Sequence, residues 1–138
     1  MELKFEIPTG IFRNLLLILL LDLVIILLFI SSSKKGGLKI SSQKLILLSN
    51  HNESLIVDLR DSKSFNAGHI TASINIPLGD LSRRINEIND NGKSIILVCE
   101  TGGSSPNAGE TLKKEGYKDI YILRGGINQW KMDNLPLV

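Results

Sequence analysis

The chain of 138 residues has a single cysteine, Cys99, and only two histidines, His51 and His69. One thiol allows no intrachain disulfide and no cysteine-rich metal centre, so the fold depends on neither oxidation nor zinc, and no cofactor is expected. An excess of one sign of charge is also lacking. The formal net charge is +2, and from Lys34 onward 14 basic side chains stand among 11 acidic ones without forming a stripe. No nucleic-acid partner is expected from such a surface. Arg83-Arg84 reads as a solvated helix face. Internal repeats and low-complexity segments are absent, which excludes a repeat array.

What the chain does have is a long apolar run near its N-terminus. From Leu15 to Ile30 every residue is apolar except Asp22, and Ile11 with Phe12 extends the stretch to 20 residues across Arg13 and Asn14. Twenty helical residues at about 1.5 Å each cover the roughly 30 Å of a bilayer's hydrocarbon. A soluble core helix needs a polar face, and Asp22 alone supplies none. A cleavable signal peptide is the competing reading. Against it stand the length of the run, the lack of a small-x-small cleavage pattern, and Lys34-Lys35 soon after. The expected organisation is an N-terminal tail over 1–10, a single-pass transmembrane helix over 11–30 in a lipid bilayer, a linker over 31–38 and one domain over 39–138. Lys34, Lys35 and Lys39 outnumber Lys4 and Arg13, which puts the domain on the cytoplasmic side. Asp22 is costly at mid-span. With no second ionisable residue between Leu15 and Ile30 it offers no proton or ion path.

Cys99 ends the apolar run Ser94-Ile95-Ile96-Leu97-Val98 and directly precedes Glu100-Thr101-Gly102-Gly103-Ser104-Ser105-Pro106. This order reads as a buried strand, a sulfur at its carboxyl tip, a glycine turn, and a helix opened by serine and proline. Open α/β sheets place reactive groups at the carboxyl ends of strands, where the next helix points its first N–H groups at whatever is bound. A thiolate, the nucleophilic form of cysteine, is favoured there. The plain alternative is a small buried hydrophobe. Its position at the strand tip, ahead of Gly-Gly and a helix start, favours a site. Backbone N–H groups of residues 100 to 105 are expected to curl around the sulfur as an anion-binding nest, with Gly102 and Gly103 free to take positive φ. Ser105 is the expected N-cap and Pro106 the first helical residue.

Helix and strand signals alternate through the rest. A helix is expected over 42–48 from a serine cap, a strand over 54–59, and a helical turn over 62–66 with Phe65 inward and Gly68 as its stop. A brief strand over 74–76 ends at Pro77. Leu81, Ile85 and Ile88 have helical spacing, closed by Asn91-Gly92. The strand over 94–99, a helix over 106–115 ended by Gly116, a strand over 119–123, the turn Arg124-Gly125-Gly126 and a last helix with Trp130 follow. Such alternation with short connections predicts an α/β fold, a doubly wound parallel sheet with residues 94 to 98 at its buried centre.

These landmarks together resemble the rhodanese-like domain family. Asp58-Leu59-Arg60-Asp61, Phe65, Gly68-His69-Ile70 and Ala72-Ser73-Ile74-Asn75-Ile76-Pro77 are similar to its Asp-x-Arg, Phe and Gly-His-Ile…Ala-x-Asn-Ile-Pro signature. Gly116-Tyr117, Leu123, Gly125-Gly126, Trp130 and Leu135-Pro136 resemble its C-terminal signature. The resemblance covers residues 39 to 138. It implies sulfur transfer: Cys99 takes a sulfane sulfur from a donor such as thiosulfate, becomes a persulfide, and passes the sulfur to a thiol acceptor, expected to be a protein. Glu100 to Ser105 form the substrate loop in this reading, and Asp58 with Arg60 support it or pair to fix the loop. An N-terminal anchor joined to one such domain also resembles a bacterial arrangement of the family, which implies a bacterial inner membrane.

One departure stands out. The family's common loop, Cys-x-x-Gly-x-Arg-Ser/Thr, aligns with Cys99, Gly102, Ser104 and Ser105, so serine replaces arginine and Glu100 adds a negative charge beside the sulfur. A guanidinium would bind an anionic donor through paired charged hydrogen bonds, so thiosulfate activity is expected to be weak. Related dual-specificity phosphatases need His at Val98 and Arg at Ser105, and neither is present. His69 reads as structural, His51 as a surface turn residue and Trp130 as a core plug. A membrane-tethered, non-catalytic module that binds a protein partner is the alternative function.

Overall fold

The computed structural model describes residues 8–138, which form two compact units, the N-terminal helix up to Ser33 and a domain from Lys34 to Val138. Of the tail expected over 1–10, residues 1–7 lie outside the described residues. Helix α1 spans Thr9–Ser33, so it starts before residue 11 and runs three residues into the expected linker. Pro8 favours its first turn. Serine is a modest helix former but no breaker, and the first true breakers are Gly36-Gly37. Within it, Thr9–Ser31, 23 residues, is long and apolar enough to cross a membrane.

The domain is a five-stranded, all-parallel sheet in the order β1-β5-β4-β2-β3, built from Leu38–Ile40, Ile120–Leu123, Ser94–Val98, Ser54–Asp58 and Ile74–Asn75 respectively. The connecting helices are α2 (Ser42–Asn50), α3 (Ser62–Ala67), α4 (Leu81–Arg84), α5 (Ser105–Lys114) and α6 (Gly126–Met132). Strand alternation on β4 sorts its side chains to the two faces. Ile95, Leu97 and Cys99 pack with Leu81, Ile85, Ile88, Ala108 and Leu112. Ile96 and Val98 pack with Leu45, Ile70, Ile127 and Trp130. All four residues Ile95 to Val98 are 0% exposed, as a central parallel strand covered on both faces requires.

Four local features depart from expectation. The apolar spacing over 81–88 is a broken segment: α4 is followed by a tighter 3-10 turn over Ile85–Glu87. Leu81 to Ile85 is a four-residue step and Ile85 to Ile88 a three-residue step, so each buried contact suits its own helix type. The Tyr117 hydroxyl donates to the carbonyls of Ile85 and Ile88 at 3.1 and 3.0 Å and holds the break. The helix expected over 42–48 runs two residues further, to Asn50, and its serine cap is Ser41, accepting from the Lys44 N–H at 3.2 Å. Phe65 is half-buried rather than inward, stacked on His69 with ring centroids 3.8 Å apart. The fourth is the far half of the linker. Gly36 and Gly37 are buried, and β1, too short to show a period, follows them. The Gly36 N–H donates to Glu110 Oε1 at 2.9 Å, and Gly36 lies so close to Pro106 and Gly109 of α5 that a Cβ on Gly36 or Gly109 would overlap backbone atoms of the other segment.

Candidate functional site

Cys99 follows the last residue of β4 and is 5% exposed. The chain then turns sharply, with Gly102 at φ +87°, and the Gly102 N–H donates to Cys99 Sγ at 3.0 Å. That is one donor; the other N–H groups of residues 100 to 105 make no hydrogen bond to the sulfur. The loop's carbonyls are held instead by the first turn of α6. Ile127 N–H donates to Cys99 O at 2.9 Å and Asn128 N–H to Glu100 O at 3.0 Å. This seat needs Gly125 and Gly126, both at positive φ (73° and 60°), because a Cβ on Gly126 would collide with the backbone of Cys99 and Glu100. By sequence alone the pair is a turn. Its support of the loop becomes visible only when β5 is placed beside β4.

The N-terminus of α5 differs from expectation. Ser104 occupies the N-cap position in a helical conformation without a side-chain cap bond, Ser105 is the first helical residue, and Pro106 the second. Ser105 is fully buried, and its Oγ has no hydrogen-bond partner. With Ser104 already at φ −87° and ψ −24°, it lacks the extended backbone that side-chain capping requires.

Cys99 opens on a depression of about 350 Å3 lined by Leu59, Arg60, Asp61, Ser64, Leu78, Glu100 and Ser104. Arg60 comes from the tip of β2, next to β4 in the sheet. Its Nε donates to Asp58 Oδ1 and Oδ2 at 3.1 and 3.2 Å, and its Nη2 to Asp58 Oδ2 at 2.9 Å and to the Gly68 carbonyl at 2.6 Å. Asp58 is 1% exposed and does not line the depression. Burial works against the Arg60 charge, but the Asp58 hydrogen bonds and field, with help from Glu100, more than offset it and leave the guanidinium pKa raised. Thr101, Gly102 and Gly103 face a separate cavity of about 190 Å3 with Lys39 and Arg124. His69 is elsewhere: its Nδ1 lies 2.8 Å from the Phe65 carbonyl and its backbone exchanges hydrogen bonds with Val138. Trp130 is buried, its Nε1 donating to Pro136 O at 2.9 Å. His51 is the exposed C-cap of α2. Among the described residues there is no group of His, Cys, Asp and Glu that could hold a metal ion.

Fold and site together define an open parallel α/β domain with a thiol-bearing glycine loop at the tip of its central strand. The Rhodanese-like domain family matches residues 41–133, and the chain belongs to that family. It is similar to the thiosulfate sulfurtransferase GlpE of Shewanella oneidensis, 35% identical over 95 residues, covering 69% of this chain and 93% of that protein. A putative sulfur carrier protein of Bacillus subtilis, YrkF, is 36% identical over 80 residues, covering 57% of this chain and 43% of that protein, so the chain spans less than half of this relative. Among solved structures, a rhodanese-related protein from Thermoplasma volcanium superposes with a TM-score of 0.65 at 28% identity, over 73% of this chain and 97% of that one.

Proposed function

We propose that this protein is a membrane-anchored sulfurtransferase or persulfide carrier in which Cys99 accepts and releases the sulfur. The observation that carries the reading is the Gly102 N–H aimed at Cys99 Sγ at 3.0 Å, in a loop that opens on the Asp61–Ser104 depression. A backbone N–H at that distance is placed to hydrogen-bond Sγ while it acts as the attacking sulfur. The Cys99 thiolate attacks the outer sulfur of a donor R–S–SH: the bond from Sγ to that sulfur forms and the donor S–S bond breaks. The electron pair leaves on R–S⁻, and the proton stays on the transferred sulfur. No external oxidant enters, because the sulfur moves as the neutral atom. A partner thiolate then repeats the step on the Cys99 persulfide. Similarity to a thiosulfate sulfurtransferase and to a putative sulfur carrier supports both forms of the activity. The apolar helix supports the anchor, and the lysines after it a cytoplasmic domain.

The replacement of the loop cation by Ser104 favours a second reading, a tethered module that binds a protein and turns nothing over. Mass spectrometry of the intact, detergent-solubilised chain after exposure to a persulfide donor separates the two. A gain of one sulfur atom that vanishes in Cys99→Ser is expected. No gain in the wild-type chain, or a gain that survives Cys99→Ser, overturns the sulfur-transfer reading.

A further inference from the structure

The charge facing Cys99 is set by three side chains of the depression, Arg60, Asp61 and Glu100. Arg60 is the single cation among them, and it is spent. Its Nε and Nη2 are occupied by Asp58 and the Gly68 carbonyl, and its Nη1 points toward Glu100 Oε2 at 3.6 Å. The Arg60 side chain is only 6% exposed, whereas that of Glu100 is 49% exposed and Asp61 is exposed. Asp61 is held in place as the N-cap of α3, accepting the Ser64 N–H at 2.7 Å. With Asp58 counted behind Arg60 and Lys63 beside Asp61, two cations stand against three carboxylates, and the exposed charged residues of the lining are both acidic. The loop position from which a further cation could reach this space holds Ser104.

We propose, resting on the sulfur-transfer reading, that Glu100 and Asp61 make the Cys99 depression selective by charge, so that it rejects anionic sulfur donors and takes sulfur from a persulfide carrying a positive charge beside its S–S bond. A low-mass ammonium persulfide meets this description, and so does a protein persulfide flanked by Lys or Arg. A carboxylate or sulfonate beside the sulfur meets Glu100 and Asp61 without an uncommitted cation of the lining in return, and repulsion of this kind discriminates as strongly as attraction.

The test compares three persulfides that share the reacting S–S bond, made from cysteamine (cation), mercaptoethanol (neutral) and mercaptopropionate (anion). The rate of sulfur gain by the full chain in uncharged detergent is read by intact mass, and each rate is divided by that for a small uncharged thiol to remove leaving-group differences. At low salt the normalised cation-to-anion ratio is expected to be at least about tenfold and to shrink toward unity near 1 M salt. Glu100→Gln and, separately, Asp61→Asn, which retains a capping side chain, should each reduce the ratio by about threefold or more. Equal normalised rates for the three donors overturn the proposal, as does a ratio that neither variant changes. Failure of all three to add sulfur overturns the sulfur-transfer reading and the proposal with it, and the unchanged mass of the chain distinguishes that outcome from lost selectivity.

Discussion

At Ser104 a hydroxyl lines the Cys99 depression where the family's loop carries a guanidinium. A charge-assisted contact to a dianionic donor is worth roughly 1.5–3 kcal/mol, so its absence costs on the order of tenfold to a hundredfold if it acts in the transition state. Ser104→Arg is therefore expected to raise kcat/KM for thiosulfate by at least about tenfold and to change transfer from a neutral persulfide much less. Steady-state kinetics with both donors check this, and equal gains would show that arginine acts by ordering the loop. At this scale the sequence places Cys99 at a strand tip, because the apolar run before it and Gly-Gly after it leave few other readings. It did not reveal the committed state of Arg60, which depends on the Gly68 carbonyl approaching across the tip of the sheet. α5 starts one residue before the expected Pro106, since serine pairs carry no signal for which member takes the helical backbone.

Among elements, α5 is shaped by what lies on it. Replacing a helical glycine by alanine ordinarily gains up to about 1 kcal/mol. At Gly109 the added Cβ would meet the Gly36 carbonyl, a backbone atom that cannot rotate away. Overpacking of this sort costs about 1–3 kcal/mol and reverses the sign. Gly109→Ala is expected to lower the thermal midpoint of the domain by several degrees, while Gly79→Ala, whose Cβ meets nothing, leaves it nearly unchanged. Circular dichroism melts of both variants decide the matter, and an equal or higher midpoint for Gly109→Ala refutes the close approach. The β/α alternation is readable along most of the chain because its helices and four of the five strands carry their own caps, breakers or apolar runs. The exception was the Gly36–Ile40 segment. A Lys-Lys-Gly-Gly stretch looks like a flexible linker, and only the nearness of α5 and β5 makes it part of the domain.

For the whole molecule, the fold class follows from the order of elements, whereas its relation to a membrane rests on one helix. The chain is expected to sediment with membranes and to resist alkaline and high-salt washing, since about 20 apolar residues insert far more firmly than a surface contact. Protease added outside intact cells should leave the domain whole. Release by alkali, or a mature N-terminus beginning after residue 30, would instead identify Thr9–Ser31 as a signal sequence.

The pairing of β1 with β5 also sets a timetable. Leu38–Ile40 is the first strand to be translated and Ile120–Leu123 the last, yet Leu38 stands opposite Tyr121 and Ile40 opposite Leu123. At typical elongation rates the interval between them is on the order of ten seconds, during which the segment just after α1 has no sheet to join. The apolar helix thus emerges well before the domain can close, and that edge of the sheet is completed only once β5 has been made.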